Sequence, residues 1–331
     1  MSIAAYLKVI GRGKDGARPL DTAQARDLFE QVLDGRVTDL EVGAFCLAMR
    51  IKGETVEELD GFVQACRARC IDLHDATQAL AASLKGVVVL PSYNGARKLP
   101  NLTPLLAWTL ARRGVGVLVH GAPEDPTRVT TSQVFQALGL PMARDAAGLR
   151  QAWQDGLPAF MDLGDLCPPL HRLLAVRWTI GLRNPGHTVA KLLDPFSSGA
   201  QEAAAMPSIR VVNHTHPEYA HSLTAFLQHT HADALLMRGT EGEPVADARR
   251  QPRFEIFVHG QRDDALSRAP VEGVLTELPE LPATCDAVAT AAYIRSIMEG
   301  RQPLPPAIDA QADCLVQALA RLSAGTAAAA P

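Results

Sequence analysis

The chain has 331 residues, of which 47% are hydrophobic and 21% are charged, and its formal net charge is −4. This composition is typical of a folded globular protein and excludes a largely disordered chain. No apolar run is long enough to cross a bilayer, so we expect no membrane contact. The net charge neither indicates nor excludes nucleic-acid binding, because phosphate contacts need only a local basic surface.

The N-terminal segment and the cysteines bear on the cellular compartment. Residues 1–8 lack the charged start, the apolar block and the cleavage site of an export signal. The six cysteines include no C-x-x-C pair, which favours reduced thiols over disulfides or a zinc site. We therefore expect a cytoplasmic protein.

Residues 21–71 predict a series of helices. Apolar residues recur at helical spacing after Asp21, and Gly35 ends this first pattern. Two capping-box pairs open the next two helices, Thr38 with Glu41 and Thr55 with Glu58. We assign a small all-helical domain to residues 1–75.

From residue 76 onward, short apolar strands alternate with amphipathic helices. The predicted strands are Val87–Leu90, Gly116–His120, Ala159–Asp162, Ile209–Asn213, Ala234–Arg238 and Phe254–His259. The helices predicted between them include Thr103–Arg112, Ser132–Leu138 and Pro217–His229. This alternation predicts an α/β domain with a mainly parallel central sheet.

Two further helical segments, Pro168–Trp178 and Thr188–Leu193, interrupt the alternation. We expect residues 165–195 to pack back on the helical domain. The α/β domain then comprises residues 76–164 and 196–322, and residues 323–331 predict a frayed tail.

The segment Pro91-Ser92-Tyr93-Asn94-Gly95 follows the first strand directly. Loops at this position hold phosphate groups with backbone N–H groups, and their residues adopt positive φ. Proline has no N–H, and tyrosine carries a bulky Cβ that disfavours positive φ. We therefore expect that this loop does not wrap a phosphate.

Several phrases in order resemble the anthranilate phosphoribosyltransferase family over residues 21 to 322. They are Asp39–Phe45, Arg50–Thr55, His120-Gly121, Ser132–Leu140, Gly181–Arg183, Leu192–Pro195 and Ala291–Arg295. The resemblance implies an all-helical domain joined to a nucleoside-phosphorylase-like α/β domain. Four further phrases are closest to the YbiB group, a non-biosynthetic branch: Ile10–Lys14, Pro91–Lys98, Glu124–Val129 and Gly239–Glu243. That branch implies a homodimer through the helices and sequence-independent binding of nucleic acid.

The resemblance also implies a vestigial donor site. Its residues match the family's phosphate loop, the Asn-x-Ser phrase and the Lys-His-Gly-Asn phrase: Ser92, Tyr93, Asn94, Gly95, Asn101, Thr103, His120 and Gly121. Thr103 holds one anion at a helix N-terminus or is a plain N-cap. His120 either faces the cleft or is a loop histidine without a catalytic task, and we favour the second interpretation.

Transfer of a phosphoribosyl group from a diphosphate donor needs Mg²⁺ to neutralise the leaving group. The family's Asp-Glu pair falls on Glu243-Pro244, and Glu241, Glu243 and Asp247 are the candidate ligands. We favour a solvated loop, and so no resident cofactor, with Mg²⁺ required only by an active transferase. A second candidate metal set, His214, His216, Glu218 and His221, is better explained by a capping box at Thr215–Glu218.

Basic residues form the candidate nucleic-acid site. Arg177 falls on the acceptor-carboxylate arginine of the family, in a basic series with Arg172, Arg183, His187 and Lys191 on helical segments lining the cleft; Arg97, Lys98 and Arg128 come from facing loops. Guanidinium groups suit phosphate, so these residues predict a groove that tracks a nucleic-acid backbone. Trp178 and Tyr93 are candidate stacking partners for bases. The alternative for the charges is a solvated face.

Three hypotheses follow. The first is a phosphoribosyltransferase-fold protein without transferase activity, which binds single-stranded or double-stranded nucleic acid non-specifically through the basic cleft of a homodimer. The second is an active phosphoribosyltransferase that uses Mg²⁺ and phosphoribosyl pyrophosphate with an unidentified acceptor. The third is a dimeric scaffold whose cleft is vestigial.

Overall fold

The computed structural model describes residues 2–197, 206–274 and 278–329. The chain divides into two compact units, both discontinuous in sequence. The first unit comprises Met1–Ile71 and Leu163–Pro195, and the second comprises Asp72–Asp162 and Phe196–Pro331. The sequence places the corresponding boundaries at residues 75/76, 164/165 and 195/196.

The first unit opens with five helices: α1 (Ala4–Ile10), α2 (Gly13–Gly16), α3 (Thr22–Leu33), α4 (Asp39–Lys52) and α5 (Val56–Arg67). Asp21, Thr38 and Thr55 cap α3, α4 and α5, each in a complete capping box. The capping boxes predicted at Thr38 and Thr55 are confirmed. Three fully buried rings, those of Phe29, Phe45 and Phe62, join these three helices in one aromatic cluster.

A buried ion pair stabilises the turn between α4 and α5. Lys52 Nζ lies 2.6 Å from Oε2 of Glu58, whose side chain is fully buried. The Glu58 carboxylate also accepts the backbone N–H groups of Leu20 at 3.0 Å and Thr55 at 2.9 Å. Gly53 ends α4 with a φ of 79°, which a residue with a Cβ rarely adopts. The segment Arg50–Thr55 therefore stabilises the helical unit at the turn between α4 and α5.

The second unit begins with α6 (His74–Leu80) and then alternates strands and helices. They are β1 (Val87–Ser92), α7 (Thr103–Arg112), β2 (Gly116–Gly121), α8 (Thr131–Leu138), β3 (Met142–Ala143), α9 (Ala146–Gln154) and β4 (Ala159–Asp162). The chain next returns to the first unit for α10 (Leu163–Leu166), α11 (Pro168–Ala175), α12 (Arg177–Ile180) and α13 (Gly186–Leu192). It completes the second unit with β5 (Ser208–His214), α14 (Tyr219–His229), β6 (Ala234–Arg238), β7 (Phe254–Val258), β8 (Gln261–Arg268), α15 (Ala287–Met298) and α16 (Pro306–Ala329).

The strands form one eight-stranded sheet in the order β3-β4-β2-β1-β5-β6-β7-β8. The strands from β3 to β6 pair in parallel, and β7 and β8 continue the sheet antiparallel. Every residue of β1 and β2 is buried, which explains why both strands are short apolar runs. The predicted fold class, a helical domain with an α/β domain and a mainly parallel sheet, is confirmed.

Some predicted elements differ from the observed ones. β3 and β8 were not predicted, because β3 has only two residues and β8 is a polar edge strand. Pro168–Trp178 is two helices, α11 and α12, rather than one. α14 begins at Tyr219, and its N-cap Glu218 makes no side-chain cap, so the capping box predicted at Thr215–Glu218 is wrong.

The C-terminal helix α16 continues to Ala329, whereas the sequence predicted a frayed tail from residue 323. Alanine has the highest helix propensity, and this alanine-rich stretch extends a helix that is already anchored by packing. Leu315, Leu319 and Leu322 of α16 are buried in the core of the second unit. Within the described residues, no helix is long and apolar enough to span a membrane.

Candidate functional site

The loop after β1 begins later than the sequence suggested. β1 extends to Ser92, and Pro91 and Ser92 stand in register with His120 and Gly121 of β2. Pro91 is therefore a strand residue, and the connection to α7 starts at Tyr93. Because parallel strands present their carboxyl ends at one edge, this loop lies at the edge where α/β sheets bind ligands.

The carboxylate of Glu243 occupies the centre of this loop. Its Oε1 accepts the backbone N–H groups of Asn94 at 2.8 Å and Gly95 at 2.6 Å. Its Oε2 accepts the hydroxyls of Ser92 and of Thr131, the latter at 3.3 Å. Glu243 is only 1% exposed, so the predicted solvated loop is wrong at this residue.

A chain of hydrogen bonds ends on that carboxylate. Asn101 Nδ2 donates to Thr131 Oγ1 at 2.8 Å, and Thr131 Oγ1 lies 2.6 Å from Ser92 Oγ. Ser92 Oγ in turn donates to Glu243. Hydrogen bonds in such a chain polarise one another, which strengthens the final bond to the charged acceptor.

A second carboxylate takes the next backbone amides of the same loop. Glu241 Oε2 accepts the N–H of Arg97 at 2.6 Å and that of Lys98 at 3.1 Å. The backbone carbonyl of Glu241 accepts Asn94 Nδ2 at 3.1 Å. Glu241 and Glu243 thus accept hydrogen bonds from four backbone amides of one loop, those of Asn94, Gly95, Arg97 and Lys98.

Residues 239–243, hereafter the latch, form the tight turn that carries both acids. Glu241 and Gly242 adopt positive φ, 52° and 86°. A Cβ added at Gly242 would lie 1.7 Å from Asn94 Nδ2, so only glycine permits this approach. Glu241 is not a glycine, and its left-handed conformation is a local strain that the contacts to the loop offset.

The prediction that this loop does not wrap a phosphate stays a prediction, but the loop does accept one anionic group. Its amides at Asn94 and Gly95 do converge on an anion, and Gly95 has the positive φ of 70° that such a nest requires. The anion is a carboxylate of the chain itself. Pro91 does not prevent this arrangement, because it lies in β1.

The other predicted donor-site residues lie in or next to β1, β2 and α7. His120 is a fully buried residue of β2 rather than a loop histidine, and its Nδ1 lies 2.7 Å from the Tyr93 hydroxyl. A Cβ at Gly121 would lie 2.0 Å from the Ser92 carbonyl oxygen, so β1 and β2 approach each other too closely there for any residue but glycine. Thr103 is the first residue of α7, after the N-cap Leu102, so it is not a plain N-cap. Its hydroxyl is buried and makes no hydrogen bond within the described part of the chain.

The acids that were candidates for Mg²⁺ do not fit that role. Glu241 and Glu243 accept hydrogen bonds from the loop, and Asp247 binds Arg249 at 2.7 Å. Over residues 2–197, 206–274 and 278–329, no group of three or more His, Cys, Asp or Glu side chains is placed to hold a metal ion. The same holds for His214, His216, Glu218 and His221.

The first unit carries, on α12, on α13 and on the segment between them, a set of residues hereafter called the cation–aromatic cluster: Arg177, Trp178, Arg183 and Lys191. The Arg177 guanidinium lies 4.2 Å from the ring centroid of Trp178, and Trp178 is 57% exposed. Burial, together with the positive charges of Arg183, Arg177 and Lys191, lowers the pKa of His187 to about 3. All three cations thus disfavour a charge on His187.

His187 itself does not belong to the predicted set of cations. Its side chain is buried, and its Nδ1 accepts the backbone N–H of Asn184 at 3.3 Å. With a pKa of about 3 the ring is neutral at pH 7, so it offers no charge to a phosphate. Arg172, on α11, is exposed and donates to the Leu33 carbonyl at 3.5 Å.

Three predicted cations lie in the second unit, beside the latch. Arg97 and Lys98 are exposed, and their amides bind Glu241. Arg128 is half-buried and donates to the Gly95 carbonyl at 3.3 Å. Sequence reasoning missed Thr131 and Gly242; the hydroxyl run Thr130-Thr131-Ser132 at the start of α8 was the available signal for Thr131.

The fold is the phosphoribosyltransferase-like fold of glycosyltransferase family 3. It consists of a helical domain, a mainly parallel α/β unit inserted into that domain, and a loop after β1 at the edge of the sheet where ligands bind. The model of the glycosyl transferase family helical bundle domain matches residues 5–70. The chain belongs to the anthranilate phosphoribosyltransferase-like family. It is 39% identical to YbiB of Escherichia coli (strain K12) over 318 residues, which cover 96% of this chain and 94% of that protein.

Biosynthetic relatives and solved structures agree with this assignment. An anthranilate phosphoribosyltransferase of Symbiobacterium thermophilum is 28% identical over 276 residues, 81% of this chain and 76% of that protein. The fold resembles that of anthranilate phosphoribosyltransferase from Thermus thermophilus, with a TM-score of 0.65, 19% identity and coverage of 94% and 90%. It also resembles the Saccharomyces cerevisiae enzyme in complex with PRPP and Mg, with a TM-score of 0.64, 14% identity and coverage of 98% and 94%.

Proposed function

We propose that this protein has no transferase activity and binds nucleic acid without sequence specificity, as a homodimer. The observation that carries the proposal is the cation–aromatic cluster of α12 and α13. An exposed tryptophan stacked on Arg177, with Arg183 and Lys191 within 14 positions along the same part of the chain, combines the two features that single-stranded nucleic acid requires. Aromatic faces stack on bases of any sequence, and cations neutralise the backbone.

Arg97, Lys98 and Arg128 are a second candidate for phosphate contacts, in the other unit. Arginine presents a planar fork that binds phosphate oxygens with two parallel hydrogen bonds. Contacts from these cations to phosphate oxygens carry no sequence information, so binding through them discriminates little between sequences.

The latch supports the loss of transferase activity. A diphosphate donor would need the amides of Asn94 and Gly95, and the Glu243 carboxylate accepts both of them. A buried carboxylate beside an incoming diphosphate is also strongly repelled, because like charges interact strongly in a medium of low dielectric constant. The acids that would have held Mg²⁺ are the same ones that bind the loop.

The outer face of α4 supports the homodimer. Leu40, Leu47 and Ile51 are 84%, 49% and 53% exposed, and they recur at helical spacing along one face. Gly43 and Ala44 lie between them and allow a second helix to approach closely. A second copy of this chain, which presents the same apolar stripe, is the partner that we propose for this face.

Fluorescence anisotropy with a labelled single-stranded DNA of about 20 nucleotides tests the nucleic-acid proposal. We expect binding at low salt and an affinity that falls steeply between about 50 and 200 mM salt. The triple variant Arg177→Ala, Arg183→Ala, Lys191→Ala should weaken binding at least tenfold. The control Arg262→Ala, Arg301→Ala, Arg321→Ala has the same net charge and should bind as the unchanged protein does.

The proposal fails if the unchanged protein does not bind at low salt. An equal loss of affinity in both triple variants would show that only the net charge matters, and would contradict the assignment of the binding site to the cation–aromatic cluster. Duplex DNA and single-stranded RNA of the same length, measured in parallel, decide between the nucleic-acid classes.

An active phosphoribosyltransferase is the second candidate, and one observation favours it. The hydroxyls of Ser92 and Thr131 and the amide of Asn101 still converge beside the loop, as a set of anion-binding donors would. For this candidate, phosphoribosyl pyrophosphate with Mg²⁺ should raise the melting temperature of the unchanged protein by ligand linkage. Absence of any rise at millimolar ligand contradicts it.

A further inference from the structure

The donors around Glu243 are of the kind that bind a free tetrahedral anion. Two are backbone amides of a nest, and two are hydroxyls at the end of a hydrogen-bonded chain. Nests of this type bind phosphate and sulfate as readily as carboxylate, because they present convergent partial positive charge rather than a shape specific to one anion. The described contacts of Glu243 are all with such donors.

The latch is built so that the carboxylate reaches them. Glu241 and Gly242 adopt left-handed conformations, and Gly242 packs directly against the Asn94 side chain. Glu241 then anchors the turn on the amides of Arg97 and Lys98. The strain and the double anchoring indicate that this contact is a specific feature of the turn, since an acid at the surface would need neither.

We propose that Glu243 is an internal ligand of its own loop, and that the latch is an autoinhibitory contact that closes an otherwise competent anion site. This inference rests on the proposed loss of transferase activity and gives it a physical cause. An external phosphate and the Glu243 carboxylate compete for the same two amides, so the site is open only when the carboxylate is absent or displaced.

The test compares the unchanged protein with Glu243→Ala, using inorganic phosphate and pyrophosphate as probes. The alanine variant removes the carboxylate and leaves the amides and hydroxyls in place. We expect no change in the melting temperature of the unchanged protein with up to about 10 mM of either anion. The variant should gain roughly 3 °C at tenfold excess over its dissociation constant. Glu299→Ala removes an exposed acid of the same unit and should respond as the unchanged protein does.

Anion-dependent rescue keeps the inference testable if Glu243→Ala is unstable. A variant that is partly unfolded in buffer should regain cooperative unfolding in phosphate, and chloride at equal ionic strength should not restore it. The further variant Gly242→Ala displaces the latch and keeps both acids. With pyrophosphate its melting temperature should rise less than that of Glu243→Ala.

Two results overturn the inference: a folded Glu243→Ala variant that responds to neither anion, or an unchanged protein that responds as strongly as the variant. These outcomes are separable from failure of the proposed function. Transferase activity in the unchanged protein would contradict the proposed function directly, and nucleic-acid binding is measured on residues of the other unit.

Discussion

Glu243 and Gly95 are 148 positions apart in the chain, and the Oε1 atom of Glu243 accepts the Gly95 N–H at 2.6 Å. This bond joins the loop after β1 to the turn after β6, within one unit. A charged acceptor makes it shorter and stronger than an ordinary amide bond. Because the carboxylate is buried, removal of either partner leaves a group that water does not solvate.

Replacement of Gly242 by alanine should displace the latch. The new Cβ would overlap Asn94 Nδ2, and the residue would also keep an unfavourable positive φ. We expect the free energy of unfolding to fall by about 2–4 kcal/mol, measured by urea denaturation. Gly139→Ala is the matched control, since Gly139 has a φ of 73° and open space around it; it should lose only about 1 kcal/mol. Equal losses in the two variants would contradict the close contact with Asn94.

His187 should make the protein less stable in acid. Its pKa is about 3 when folded and 6.5 in the unfolded reference, so the unfolded chain binds a proton first as the pH falls. Stability from this residue is complete above pH 6.5 and is lost between pH 6.5 and 3, by at most about 1.4 kcal/mol per pH unit. We expect the free energy of unfolding, measured by urea denaturation at several pH values, to change less steeply with pH in His187→Gln than in the unchanged protein. His221→Gln, at an exposed histidine, should keep the original slope.

Trp178 should report nucleic-acid binding by its fluorescence. Stacking of a base on its exposed ring should quench the emission of the unchanged protein, and Trp178→Phe should remove that quenching while the affinity changes little. Trp178→Ala removes the aromatic face and should weaken binding by roughly 1–3 kcal/mol, or about 5- to 150-fold. Tyr219→Ala, at a 52% exposed aromatic residue of the second unit, is the control. Full affinity in Trp178→Ala would exclude stacking at this position.

Charges on the outer face of α4 should dissociate the proposed homodimer. Leu47→Asp with Ile51→Asp places two carboxylates in the apolar stripe, and burying them unpaired costs several kcal/mol in the dimer. Sedimentation velocity should show a folded monomer. Val288→Asp, at a residue that is 74% exposed on α15, should leave the assembly unchanged. A dimer that persists in the double variant would place the interface elsewhere.

The elements were largely predictable because their signals are local. Capping boxes at Thr38 and Thr55 mark helix starts within four residues, and the buried parallel strands are continuous apolar runs. β8 was missed for the converse reason. Its sequence Gln-Arg-Asp-Asp is polar, and it is a strand only because β7 supplies a pairing edge.

The candidate site was predictable only in its location. The loop at Ser92 to Gly95 was recognised from the sequence. Its amides bind Glu243, and no local sequence pattern links that residue to the loop. The same limit applies to His187, whose position in a basic series indicated a cation. Its burial depends on how α13 packs, and burial is the first cause of its low pKa.

The ion pair between Lys52 and Glu58 has a consequence for how relatives of this chain are recognised. Its hydrogen bonds join α4, α5 and Leu20, all in the first unit, whereas the latch belongs to the second unit. A sequence search with the segment Arg50–Glu58 therefore finds proteins that share the helical unit, and it gives no information about the residues of the latch. The turn that carries Glu241 and Glu243 makes the contacts on which the proposed loss of transferase activity rests, so this turn is the segment to compare in a relative whose activity is measured.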